Sequence, residues 1–158
     1  MSTVASFADL KGTRRNEGDF ADLKGKTIIA IDGAVKGSDL ITITCADLKR
    51  FVLQHHQSCC ERVLVEDVVG EPADLVGHAV MLAEETTNRE NPPEYSDSFT
   101  WTFYKLRTHG GDVTIRWLGE SNGYYGEGVD VDVNDVKLTD LTPEQQVRRD
   151  VVLERGGL

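Results

Sequence analysis

Short runs in which apolar and polar residues alternate recur along most of the chain. Such runs, rich in β-branched and aromatic residues and separated by Gly, Pro, Asn or Asp, are typical of half-buried β-strands. Seven or eight strands are predicted in this way, whereas the polar residues 86–97 are predicted to form a loop. The runs that predict strands lie at residues 27–31, 40–44, 51–60, 63–69, 79–83, 99–104, 113–117 and 129–133.

The strongest local signal is a hairpin. Aromatic residues alternate with Thr over residues 99–104, a Gly-Gly pair follows at 110–111, and residues 113–117 are again β-branched or aromatic. Two such runs around a Gly-Gly pair indicate two antiparallel strands joined by a turn. We expect this hairpin to form the core, with Trp101 and Trp117 both largely buried.

Helical signals are concentrated at the carboxyl end. Thr142 fits an N-cap, Pro143 fits the first helical position, and Gln145 completes a capping box. The predicted fold class is therefore mainly β, at the margin of α+β. Its antiparallel strands form a sandwich or a barrel, and a helix follows them.

Three regions are predicted along the chain. Residues 1–25 form an N-terminal extension, residues 26–141 a β domain, and residues 142–158 the C-terminal helix. The extension contains the sequence Phe-Ala-Asp-Leu-Lys-Gly twice, at residues 7–12 and again at residues 20–25. Each copy predicts one helical turn closed by Gly, and two copies are too few for a solenoid.

Composition narrows the classes of function. Seventeen Lys and Arg against 27 Asp and Glu give a net charge of −10. Nucleic-acid binding is not expected, because that affinity comes largely from basic side chains that neutralise phosphates. The charge suits a basic protein partner, and it would also suit mimicry of the charge of DNA. Neither a membrane span nor a secretion signal is apparent.

A cluster of chemically versatile residues lies at residues 55–61. If this segment is extended, His55, Gln57 and Cys59 share one face, and His55 and Cys59 are candidate zinc ligands. The same residues could supply a Cys–His nucleophile. The chain has three cysteines, two of them adjacent, which predicts reduced thiols and a cytoplasmic location rather than a disulfide framework.

A second polar and aromatic cluster spans residues 116–125. We expect a ligand site where it meets residues 55–61, because buried polar groups must pair with each other or face a cleft. Arg116 offers a cationic fork that suits a small anionic ligand. The candidate ligand-binding residues are His55, Gln57, Glu61, Arg116, Asn122 and Tyr124.

Several motifs occur in one order along residues 26–133. They are His-x-Gln-x-Cys-Cys-Glu at 55–61, Thr-Trp-Thr-Phe-Tyr-Lys-Leu at 100–106, Val-Thr-Ile-Arg-Trp at 113–117 and Glu-Ser-Asn-Gly-Tyr-Tyr at 120–125. Together they resemble a family of small uncharacterised proteins in bacteriophage and bacterial genomes. The resemblance implies a phage-type origin and no established chemistry, and it carries no catalytic residue onto this chain.

The favoured function is a non-enzymatic phage accessory protein that binds a host or phage protein, or a small ligand, in the host cytoplasm. A virion component of the head or tail is one alternative. A zinc-binding or thiol enzyme built on residues 55–61 is the other, and zinc is the cofactor that it would need. Otherwise no cofactor is expected.

Overall fold

Eight strands and one α-helix make up the part of the chain that the computed structural model describes, residues 16–91 and 97–156. The strands are β1 (Ile28–Asp32), β2 (Leu40–Cys45), β3 (Lys49–Gln54), β4 (Arg62–Val69), β5 (Leu82–Glu90), β6 (Ser98–Thr108), β7 (Gly111–Ser121) and β8 (Asp130–Asp135). The helix α1 is Pro143–Glu154, and single 3₁₀ turns form at Phe20–Leu23, Pro72–Leu75 and Leu138–Asp140.

The strands form two antiparallel sheets of four, which together make a sandwich. The first sheet has the order β1-β2-β3-β8 and the second the order β4-β7-β6-β5. One main core lies between them, with Ile43 and Phe51 from the first sheet and Ile115 and Trp117 from the second. The predicted fold class, mainly antiparallel β with a C-terminal helix, is confirmed.

The hairpin of β6 and β7 supplies the centre of this core. Tyr104 pairs with Ile115 across the two strands, and both side chains are fully buried. Burial raises the pKa of the Tyr104 hydroxyl far above its ordinary value, and the nearby Glu85 adds to this effect, so the phenol stays neutral. The predicted burial in the core is confirmed for Trp117, which has no exposed surface, whereas Trp101 is only partly buried and belongs to neither core. Trp101 is partly exposed because it points to the opposite face of the same sheet.

Strand β5 occupies much of the segment that the sequence predicts to be a loop. It pairs with β6 from Leu82 opposite Arg107 to Glu90 opposite Phe99. Its side chains from Glu84 onward are exposed, so this edge strand shows no alternation of apolar and polar residues. The prediction of a loop is wrong for residues 86–90 because backbone pairing with a strong hairpin, not side-chain burial, makes them a strand.

The second copy of the repeat is part of the main core. Asp19 caps the turn Phe20–Leu23 through the backbone N–H of Ala21, at 2.9 Å. Phe20 and Leu23 are 1% and 0% exposed, and the ring of Phe20 lies 4.6 Å from that of Tyr104. The described part of the predicted extension therefore packs as one unit with the β domain. The first copy, at residues 7–12, lies outside the described residues.

Helix α1 begins as the sequence predicts and closes a second, smaller core. The backbone N–H of Gln145 donates to Thr142 at 3.2 Å, and the backbone N–H of Thr142 donates to the Gln145 side chain at 3.0 Å. The second core contains Ile29, Ala46, Val136, Leu141 and Val152.

Among the described residues, no helix is long and apolar enough to cross a membrane.

Two arginines of α1 fix the helix to the first sheet. The guanidinium of Arg148 donates to the carbonyl of Ile29, and that of Arg149 donates to the carbonyl of Ala46, both at 2.6 Å. The helix thus covers the start of β1 and the residue after β2 rather than lying beside the domain as an independent segment.

Substituting the buried contact of this helix should test its contribution. We expect Val152→Ala to lower the free energy of unfolding by about 1.5–3 kcal/mol, because a buried side chain is truncated and a cavity remains. The neighbouring Val151→Ala, at a position 38% exposed, should change it by less than about 0.5 kcal/mol. Urea denaturation followed by circular dichroism measures both, and equal effects would contradict the packing of α1.

Candidate functional site

Residues 55–61 form a loop between β3 and β4 that folds around the carboxylate of Glu61. The side chain of Glu61 is fully buried. Its oxygens accept hydrogen bonds from His55 Nε2 at 2.6 Å, the backbone N–H of Ser58 at 2.8 Å and that of Cys59 at 2.9 Å. The predicted extended run ends at Gln54, because three donors from the chain turn back onto this carboxylate.

His55 links this loop to residues 121–129. Its Nδ1 lies 2.7 Å from the carbonyl oxygen of Gly128, while its Nε2 faces Glu61. Both partners are oxygen atoms, and through these two contacts the His55 ring joins the loop at 55–61 to the loop after β7. The hydrogen bond from His55 lowers the pKa of Glu61 to about 2, from an ordinary value of 4.5. Burial opposes this shift, and the two backbone donors support it.

Two other polar side chains of the loop are also paired. Gln57 Nε2 donates to the carbonyl of Glu61 at 2.6 Å and to that of Cys59 at 3.1 Å. His56 Nε2 lies 2.8 Å from the carboxylate of Asp132. Asp132 is mostly buried, although the alternation of Val with Asp and Asn in β8 would place it on an exposed face. Most groups of the loop thus pair with one another, which favours a structural role for it, whereas Oδ1 of Asp132 is buried with no hydrogen-bond partner among the described residues.

The cysteines do not assemble a thiol or metal site. Cys59 and Cys60 are joined by a disulfide, so the prediction of reduced thiols is wrong for this pair and is confirmed for Cys45. Burial, helped by the charge of Asp47, raises the pKa of the Cys45 thiol to about 12, so it is not a nucleophile at neutral pH. Among the described residues, no group of three or more His, Cys, Asp or Glu is arranged to hold a metal. Both ring nitrogens of His55 are already engaged.

The six predicted ligand-binding residues lie in three places. His55, Gln57 and Glu61 share the network, and their segment meets the other cluster where Arg62 pairs with Glu120. Arg116 lies four residues before Glu120 in β7, which corresponds to about 13 Å along an extended strand. Asn122 accepts from the backbone N–H of Tyr124 at 2.9 Å, in a turn that leaves Tyr124 83% exposed. Their role in binding a ligand stays a prediction.

A buried carboxylate that the sequence does not single out holds the loop after β7. Glu127 accepts hydrogen bonds from the hydroxyls of Ser98 and Ser121, and from that of Thr100 at 2.8 Å. Burial alone would raise its pKa, but these hydroxyls and the charge of Arg89 outweigh burial and lower it. Gly119 lets the loop approach, since a Cβ there would lie 2.2 Å from the Glu127 carbonyl. A single Glu between glycines carries no recognisable signal.

The outer face of the second sheet carries an aromatic and aliphatic patch that we call the outer patch. Its side chains alternate with the core residues of the same strands and are partly exposed. None of these side chains is among the described residues that form the two cores. The outer patch consists of Leu64, Phe99, Trp101, Phe103 and Leu118.

Strand register brings the outer patch together around one arginine. Leu64 and Trp101 both pair with Leu118, and Phe103 pairs with Arg116. The Arg116 guanidinium lies 5.3 Å from the centre of the Trp101 ring and donates to Asp67 at 3.2 Å. The sequence contains this signal in residues 99–104, where the aromatic residues Phe99, Trp101 and Phe103 alternate with Thr100 and Thr102 and so share one face.

A family model for a domain of unknown function, DUF7448, matches residues 21–131. The chain belongs to this family. The match covers the turn Phe20–Leu23 from its second residue, both sheets as far as Val131, the loop at 55–61 and the outer patch. Helix α1 and the first copy of the repeat lie outside it. No curated protein and no solved structure matches the chain.

The network around Glu61 should make stability depend on acid pH. Because its pKa is lower in the folded chain than in the unfolded chain, the carboxylate stabilises the fold fully above about pH 4.5. That contribution is lost as the pH falls toward 2. We expect the Tm of the wild type to fall over this window, and the Tm of Glu61→Gln to fall less steeply from a lower starting value.

Glu120→Gln is the matched control for this measurement. Glu120 lies 4.0 Å from Arg62 in a largely exposed pair, and exposed pairs contribute little to stability. Differential scanning calorimetry between pH 7 and pH 2 compares the three chains. Parallel curves for wild type and Glu61→Gln would contradict the assigned role of Glu61.

Proposed function

We propose that this chain is a non-enzymatic binding protein that recognises a protein partner through the outer patch. The observation that carries the proposal is that five large apolar side chains lie together on the outward face of one sheet, apart from the cores. Contiguous apolar surface of this kind marks interaction sites in soluble proteins. The phage accessory role and the cytoplasmic location predicted from the sequence are part of this proposal.

The composition of the outer patch fits a protein partner. Trp and Arg are enriched among residues that dominate binding energy, and they act best at the centre of an interface. Trp101 and Arg116 stack on each other at the middle of the patch, between Leu118 and Phe103. The contact orders both side chains before binding, so little side-chain conformational entropy is lost when a partner binds.

Charge indicates which kind of partner the surface favours. Two arginines on this face of the sheet are already paired with carboxylates, Arg116 with Asp67 at 3.2 Å and Arg107 with Asp112 at 3.0 Å. The net charge of −10 therefore acts over the whole molecule and attracts a basic protein. The same charge opposes association with a second copy of this chain.

A small anionic ligand is less well served by the same residues. Arg116, the group predicted to receive an anion, already contacts the carboxylate of Asp67 and the face of Trp101. A thiol enzyme is also disfavoured, because Cys45 is buried with a raised pKa and the other two cysteines are paired. In the virion alternative this chain is itself a head or tail component, and mass spectrometry of purified particles tests for it there.

Truncating the centre of the patch tests the proposal. Tagged wild-type protein is used to recover binding proteins from a host-cell lysate, and each candidate is then purified and titrated by calorimetry. We expect Trp101→Ala to weaken the Kd of the true partner by at least about 30-fold, as loss of a central Trp does. Affinity should also fall with rising salt.

Val35→Ala is the matched control. Val35 is an exposed apolar residue, 62% accessible, outside the outer patch. The control should bind like the wild type, and the Tm of Trp101→Ala should show that the sheet remains folded. A purified partner that binds Trp101→Ala and wild type equally would overturn the proposal. So would a wild-type dimer in analytical ultracentrifugation that Trp101→Ala converts to a monomer, because a second copy would then cover the outer patch.

A further inference from the structure

The turn Phe20–Leu23 fills a slot at one end of the sandwich. Phe20 packs against Tyr104, and Leu23 is fully buried in the main core. The backbone fixes the turn on both sides: Gly18 N–H donates to the carbonyl of Val131 at 2.9 Å, and Gly25 N–H donates to that of Val80 at 2.8 Å. Two buried apolar side chains and the backbone on either side therefore hold this short segment in place.

The features that make this segment fit are few. Two apolar side chains three residues apart lie on the same face of a 3₁₀ turn, which has three residues per turn. Asp19 caps the start of the turn, and Gly25 ends it with φ +90°, a conformation that favours glycine. The required pattern is a capping residue, Phe, two residues, Leu, one residue and Gly.

The chain contains this pattern a second time. Residues 7–12 repeat Phe-Ala-Asp-Leu-Lys-Gly without change, and Ser6 stands where Asp19 caps the resident copy. Ser and Asp are among the best capping residues. We propose that the slot is a binding site for this six-residue segment, and that residues 6–12 occupy it in the same chain when the resident copy leaves.

The connection is long enough for this exchange. One residue, Lys26, separates Gly25 from Thr27, which bridges to Ala79 at the entrance to β1. With the first copy in the slot, residues 13–26 would close the same gap as a loop. The entropy cost of closing a flexible loop grows only with the logarithm of its length.

The structure also explains why the resident copy is preferred. A Cβ at Gly18 would lie 2.1 Å from a methyl carbon of Val133, so any other residue there would have to displace the Val133 side chain. The corresponding residue before the first copy is Ala5. The first copy is thus a weaker ligand whose occupancy becomes visible when the resident copy is impaired.

A mutant cycle over the two copies tests the proposal. Four full-length chains are compared by thermal unfolding: the wild type, F7A/L10A, F20A/L23A and the chain with all four changes. F7A/L10A should leave the Tm unchanged, because the resident copy fills the slot. F20A/L23A should lower the Tm, and adding F7A/L10A should lower it by at least about 5 °C more.

Two further variants keep the test decisive. If F20A/L23A does not fold, the milder Phe20→Leu enters the same cycle. Ala5→Gly should raise the Tm of F20A/L23A and leave that of the wild type unchanged, since it removes the contact with Val133. Additive effects of the two copies would overturn the proposal. A rescue that depends on protein concentration would also overturn it, because the first copy would then act between chains.

Discussion

Successive side chains of a strand point to opposite faces of a sheet, and β6 and β7 carry large apolar residues on both faces. Tyr104 and Trp117 on one face form the centre of the core. Trp101 and Leu118 on the other face form the centre of the outer patch. The same eleven-residue strands therefore provide the stability of the sandwich and the surface proposed to bind a partner.

Two buried carboxylates organise the loops at the ends of these strands. Glu61 gathers His55 and the backbone of the β3–β4 loop, and Glu127 gathers three hydroxyls from β6 and β7. Burial is costly for a carboxylate unless donors compensate it, so each loop has one conformation that satisfies its acid. The contact of His55 with Gly128 joins the two loops.

Local signals in the sequence predict what local interactions decide. The capping box at Thr142 and the Gly-Gly turn of the hairpin depend on residues close in the chain, and both form as predicted. Strand β5 depends on hydrogen bonds to β6 rather than on its own side chains, so its polar residues 86–90 suggest a loop.

The candidate site is harder to predict for the same reason. The partners of Glu61 include a histidine six residues away, but those of Glu127 lie up to 29 residues distant. Trp101 and Trp117 both lie in runs of β-branched and aromatic residues, and only the orientation of the hairpin relative to the first sheet decides which one belongs to the core. Composition and spacing do not contain that orientation.

Acrylamide quenching of tryptophan fluorescence tests this division of the hairpin most directly. The chain has two tryptophans, of which Trp101 lies on the outer face and is partly exposed and Trp117 lies in the core. The wild type should show one quenchable and one protected component, and Trp101→Phe should retain only the protected one. Emission from Trp101→Phe that is quenched as strongly as that of the wild type would contradict the account.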